Sequence, residues 1–252
     1  MASNDADMSF DRYLAEIFES GEHSDVILRA SDGGKFPAHR VVLCGKSAYF
    51  KNCLKHNFKE TSTGSFDLNE DYDTLKAVLE FIYCNCYTLP LNSTVEAQVK
   101  LHINAFIAAD YYTVPNLSSY ALDRFHASIN DWGNIKTALP DIVKAIYNKE
   151  NELVKVMKDE ILRLIKTHLA DLEFDGGFRN LMNEGGSFPL DILYFKNTNN
   201  RKPATTATTF KSRCFCCTTV VVVTLPDYQR FLNCPSCYCT VLAKEWRDYK
   251  CN

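Results

Sequence analysis

The residues best suited to chemistry lie near the end of the chain, in Cys214-x2-Cys217-x16-Cys234-x2-Cys237. A Cys-x2-Cys step lets two thiolates from one turn reach the same ion, and two such steps complete a tetrahedral four-thiolate zinc site. Seven of the eleven cysteines fall within residues 214–251, and the segment has no histidine, so thiolate is the soft ligand it offers. The spacing also admits Cys216 in place of Cys217 and Cys239 in place of Cys237. Four protein ligands leave no position for water, which makes such a zinc ion structural rather than catalytic.

Short strands are needed to position these cysteines. Thr218–Leu225 is rich in β-branched residues and reads as one strand, and Tyr238–Leu242 reads as another, so residues 210–252 have the pattern of a zinc ribbon. A segment this small buries little apolar area, and the metal would supply most of its stability. Six basic residues (Lys211, Arg213, Arg230, Lys244, Arg247, Lys250) face three acidic ones (Asp227, Glu245, Asp248) in this stretch. That balance permits a phosphate contact without requiring one. Phe215, Tyr228, Phe231, Tyr238, Trp246 and Tyr249 suit the ribbon's own core or a bound peptide equally well. A protein-binding or purely structural ribbon is the favoured reading over nucleic-acid recognition.

The whole chain is 252 residues, long enough for one or two domains with a sizeable core. Its 46% hydrophobic and 23% charged residues exclude global disorder, and a net charge of −3 gives no overall attraction to nucleic acid or anionic membrane. No run of about 18 apolar residues is present and the first residues are polar and acidic, which predicts neither a transmembrane helix nor a signal peptide. The cysteines are then expected to be reduced thiols or metal ligands in the nucleus or the cytoplasm. No nucleophile–base arrangement, paired carboxylates or phosphate-cradling glycine loop is apparent, so the sequence does not read as an enzyme.

The first half is organised around residues 23–50. Val26, Leu28 and Ala30 alternate with Ile27 and Arg29, the period of a half-buried strand. Ser31-Asp-Gly-Gly34 has hairpin-turn chemistry, and Lys35-Phe-Pro37 begins a return strand whose regular ladder ends at the proline. From His39 the period becomes helical, with Val41, Val42, Leu43, Phe50 and Leu54.

His23-Ser-Asp-Val26, the hairpin, Phe36-Pro-Ala-His-Arg-Val-Val-Leu43 and Ser47-x-Tyr-Phe50 together resemble the start of a BTB (POZ) domain. Phe58-Lys-Glu60, the Phe66–Leu68 strand, Tyr72–Tyr83, Ala105–Val114 and Leu117–Phe125 extend the resemblance over residues 8–130, about half the chain. It implies an α+β BTB fold, helices with a small mixed sheet. Extra helices would follow over 131–196, then a linker over 197–209 and the zinc ribbon. This layout resembles fungal-type BTB proteins with a C-terminal four-cysteine segment.

The resemblance also implies roles. An amphipathic helix carrying Phe10, Tyr13, Leu14, Ile17 and Phe18 either packs across a twofold partner, giving a homodimer, or covers its own domain. Asp25 and Arg40 match a charged pocket of the family; alternatively Asp25 accepts backbone N–H bonds and Arg40 is solvated. Phe58 and Glu60 match the hydrophobic-x-Glu motif by which some BTB domains dock a cullin scaffold of ubiquitin ligases. An exposed aromatic anchor with an orienting carboxylate suits such docking; the alternative is a Phe58 folded onto its own core. His39 reads as a core histidine, and Cys44, Cys53, Cys84 and Cys86 as small hydrophobes.

Residues 134–196 show helical stripes interrupted at Pro140. Ile135, Leu139, Ile142, Val143 and Ile146 form one, and Leu153, Val156, Met157, Ile161, Leu164 and Ile165 the next. Such helices would widen a cullin contact, or form a free-standing helical hairpin. The expected function is an interaction adaptor that self-associates and recruits an unknown target to a cullin-type ligase. Alternatives are a nuclear transcription-associated factor whose ribbon contacts DNA, and a BTB assembly module without cullin binding.

Overall fold

Alternation of side-chain character builds the first sheet. In β1 (Val26–Arg29), Val26 and Leu28 are buried while Ile27 faces out. It pairs antiparallel with β2 (Lys35–Ala38), setting Leu28 opposite Phe36 and Val26 opposite Ala38. Gly33, at φ +91°, allows the turn. Asp32 secures it: one carboxylate oxygen accepts the Gly34 N–H at 3.3 Å and the other the Tyr72 N–H at 2.9 Å. These bonds, that from Tyr72 foremost, hold the Asp32 carboxyl below its ordinary pKa. A third strand, β3 (Ser65–Asp67), pairs parallel with β1 and gives the order β2-β1-β3. The computed structural model describes residues 10–55, 64–149 and 151–195, together with four strands between residues 208 and 242.

The sequence places a break at Pro37, but β2 continues through it to Ala38. Its place at the edge of the sheet explains this, because an edge strand tolerates a missing N–H.

Helices cover this sheet. Helix α1 (Phe10–Ser20) buries Leu14 and Ile17 and packs on α4 (Tyr72–Cys84), with the Phe18 ring 4.9 Å from that of Tyr83. It therefore covers its own domain, while Phe10 stays 72% exposed and Tyr13 partly so. Helices α2 (Arg40–Lys46) and α3 (Ala48–Lys55) meet at Ser47. Its hydroxyl oxygen accepts the Phe50 N–H at 3.1 Å, satisfying a first-turn donor of α3. Asp71 caps α4 in the same way through the Thr74 N–H at 2.8 Å, and Asn85 ends that helix in the left-handed conformation.

Helix α5 (Val95–Tyr111) is the hinge of the architecture because it is buried on two sides. Leu101, Ala105, Ala108 and Ala109 join the core beneath the sheet, together with Leu28, Leu43, Phe50, Leu75 and Ile82. Val99 and Ile103 join a second core with Phe125 and Ile129 at the end of α6 (Leu117–Ser128). That second core is completed by α7 (Trp132–Tyr147), a 3-10 turn (Glu152–Val154) and α8 (Lys155–Thr167). The short helices α9 (Leu169–Leu172), α10 (Gly176–Asn183) and α11 (Ser187–Tyr194) close it through Leu172, Phe178, Leu181, Phe188 and Ile192. Phe106 packs against both cores.

The helical extension is thus built onto the sheet domain and does not stand free as a hairpin. Each fully buried apolar side chain at the junction contributes roughly 1.5–3 kcal/mol. Pro140 does not end a helix either: α7 runs through it without a break. Its ring lies against α10, where a Cβ built on Gly177 would meet Pro140 Cγ at 3.2 Å. Tertiary packing here offsets the lost backbone bond.

At the C-terminal end β4 (Thr208–Arg213) pairs antiparallel with β5 (Val220–Leu225). A second hairpin pairs β6 (Phe231–Asn233) with β7 (Thr240–Leu242).

Candidate partner-binding surface

Aromatic residues fix the first turn of α3 against the end of α5. The Tyr49 ring lies 5.3 Å from Tyr111 and 5.1 Å from Tyr112, and Phe50 stacks on Tyr112 at 5.5 Å and 5°. The Ser47 hydroxyl donates to the Tyr112 carbonyl at 2.6 Å. Burial pushes the Tyr49 and Tyr112 phenols above their ordinary pKa, so both rings are neutral over the physiological range. Tyr111 keeps about half its surface exposed. This cluster anchors the first turn of α3; the segment that carries Phe58 and Glu60 follows the other end of that helix, after Lys55. Those two residues lie outside the described residues.

Beyond Tyr111 the surface becomes concave. A cleft of about 290 Å³ is lined by Phe106, Asp110, Thr113, Pro115, Ser118 and Leu153, among others. It shares Phe106 and Ser118 with a larger cleft of about 620 Å³ between α6 and α8. Leu122, Ile129, Val156 and Leu164 give the larger cleft apolar walls; Asp123, His126, Glu160 and Arg163 give it polar ones. Glu160 receives the Arg163 guanidinium on α8 and lies 3.7 Å from His126 Nε2 on α6. An apolar trough with a few charged groups suits a peptide or a protein edge.

Asp25 and Arg40 come together through the main chain. One Asp25 carboxylate oxygen accepts the Arg40 backbone N–H at 2.8 Å, at the first turn of α2, where the helix dipole also favours a carboxylate. His39, beside them, is buried in a closed network. Its Nε2 lies 2.7 Å from the Glu22 carbonyl and its Nδ1 2.8 Å from the Tyr83 hydroxyl. A carbonyl only accepts, so Nε2 carries the proton and Nδ1 accepts from Tyr83. Burial pushes the Tyr83 phenol up to about 12.

Cys44, Cys53, Cys84 and Cys86 are partly buried thiols, and burial raises the pKa of Cys86. Among the described residues no three His, Cys, Asp or Glu side chains gather as a metal site. Cys214, Cys216, Cys217, Cys234, Cys237 and Cys239 lie outside them. No described helix is long and apolar enough to cross a membrane. The aromatic cluster and the clefts were not apparent in the sequence. Glu160 and Arg163 share a helical face by spacing, but nothing marks His126 as their neighbour.

The model of the BTB/POZ domain family matches residues 14–120. These residues are a BTB/POZ domain. The three-stranded mixed sheet under α1–α6 is the fold observed over that span. The chain is 28% identical over 120 residues to the BTB/POZ domain-containing protein At1g01640 of Arabidopsis thaliana, covering 46% of this chain and 54% of that protein. It is 24% identical over 188 residues to At5g48510 of the same plant, covering 71% and 78% respectively. The Kelch repeat and BTB domain-containing protein 1 of cowpox virus is 24% identical over 176 residues, 61% of this chain and 30% of the viral protein. The last two alignments are longer than the BTB domain and so take in residues beyond it. BTB domains are protein-interaction modules, and this chain carries one continuous with a helical extension.

Proposed function

We propose that this chain is an adaptor that self-associates through its BTB domain and recruits a target protein to a cullin-type ubiquitin ligase. The observation that carries this reading is the shared core of the BTB domain and the helical extension, which creates one trough along α5, α6 and α8. Phe10 and Tyr13 offer apolar surface on α1 for a second copy. The same proposal places the chain in the nucleus or the cytoplasm, where thiols stay reduced.

Light scattering on the full chain, alone and mixed with the N-terminal half of a cullin scaffold, tests both parts. The expected result is a dimer that shifts to a cullin-bearing complex. Phe58→Ala combined with Glu60→Ala should weaken that complex by at least about 2 kcal/mol, roughly thirtyfold in Kd. A dimer indifferent to cullin would leave an assembly module; a monomer indifferent to it would refute both parts.

A further inference from the structure

The two C-terminal hairpins have the same construction. In the first, Arg213 pairs with Val220, so residues 214–219 connect the strands; in the second, Asn233 pairs with Thr240, so residues 234–239 do. Both connections are six residues long, and both place cysteine first and fourth: Cys214 and Cys217, then Cys234 and Cys237. Cys216 is third in its connection, where the other has Ser236, and Cys239 is sixth, where the other has Thr219. The equivalence of the hairpins therefore separates four cysteines from the two that spacing alone leaves as substitutes.

We propose that Cys214, Cys217, Cys234 and Cys237 bind one structural zinc ion that fastens the two hairpins to each other, while Cys216 and Cys239 stay outside the coordination sphere. The cysteines lie outside the described residues, but the paired strands that bracket them are described. Each hairpin is a separate two-stranded sheet, and a lone two-stranded hairpin is marginal in water. The second is shorter still, with three residues per strand. A shared ion replaces the apolar core that such small sheets cannot build. Strand β4 already has two faces, with Lys211 exposed and Ser212 buried. Binding converts four thiols to thiolates and releases their protons to solvent, with no change of oxidation state. The bound group carries a charge of −2, beside a sequence that places Lys211, Arg213 and Arg230 within a few residues of its ligands. This site does not depend on the adaptor reading.

The test uses the full chain, purified without chelator. Elemental analysis should find one zinc per chain, and a thiol-blocking mercurial should release it to a chromogenic chelator. Cys214→Ser and Cys237→Ser should each abolish stoichiometric zinc, whereas Cys216→Ser and Cys239→Ser should retain it. Helical circular dichroism should be unchanged in all four, because the helices have their own core. Cobalt substituted into the unaltered protein should show thiolate charge-transfer absorption and the intense visible bands of a tetrahedral site. Absence of zinc with an octahedral cobalt spectrum would overturn the site. Loss of zinc in Cys216→Ser or Cys239→Ser, with retention in Cys214→Ser or Cys237→Ser, would overturn the ligand assignment.

Discussion

Acid should destabilise this protein through His102. The side chain is fully buried in α5, with Nδ1 2.7 Å from the Tyr87 hydroxyl and Nε2 without a hydrogen-bond partner among the described residues. Burial, with a smaller contribution from Arg124, lowers its pKa from 6.5 to about 3. Between those values the unfolded chain binds a proton that the folded chain refuses, so stability falls as pH falls through that window. A depression of that size corresponds to a loss of roughly 4 kcal/mol by pH 3, and to about 2 kcal/mol between pH 7.5 and 5. Such a loss is a large fraction of a typical domain's 5–15 kcal/mol. His102→Gln keeps a polar group able to reach Tyr87 but removes the titration. Urea unfolding followed by helical circular dichroism at pH 7.5 and pH 5 should show the unaltered chain losing about 2 kcal/mol more than the variant. The other five histidines and the carboxylates contribute to both proteins and cancel in the difference. Equal losses in the two proteins would refute the assignment of acid sensitivity to this side chain.

Two further outcomes follow from packing and capping. Phe125→Ala, at the shared core of α5, α6 and α7, should cost about 3–5 kcal/mol in urea unfolding; a loss under about 1 kcal/mol would mean the extension packs loosely. Asp71→Ala should cost about 1 kcal/mol and Asp71→Asn much less, because the asparagine oxygen still accepts the Thr74 N–H; equal costs would point away from the cap.

Local chemistry in this chain is legible, and the partners of each face are not. The alternation of Val26 and Leu28 with Ile27 and Arg29 announces β1, and the four-residue turn announces the hairpin. Nothing in that stretch says that β1 also pairs with Ser65–Asp67, because parallel pairing depends on the intervening helices. Helical spacing likewise cannot reveal that Leu101 and Val99 of α5 enter different cores. Pro140 reads as a break because proline removes a backbone bond; its packing against Gly177 is visible only in three dimensions. Of the site residues, His39 was legible as a core histidine, while its bonds to Glu22 and Tyr83 were not. Asp25 was legible as a helix-end carboxylate or an ion-pair partner, and the structure places its oxygen on the Arg40 N–H.

The two-sided burial of α5 bears on how the surface could work. A partner that touched only the BTB domain would gain nothing from the extension, whatever its sequence. Here the walls of the larger cleft come from α6, whose first turn ends the matched BTB span, and from α8 of the extension. Both helices are locked to one another through Phe125, Met157 and Ile161 in a common core. The segment between α3 and β3 has both flanks held as well, α3 by Tyr49 and Phe50 against Tyr112, and β3 by its ladder to β1. Surfaces from two parts of the chain are therefore presented in one fixed geometry before any partner arrives. Association then avoids the cost of ordering one part against the other, and that saving goes to partners that span the junction.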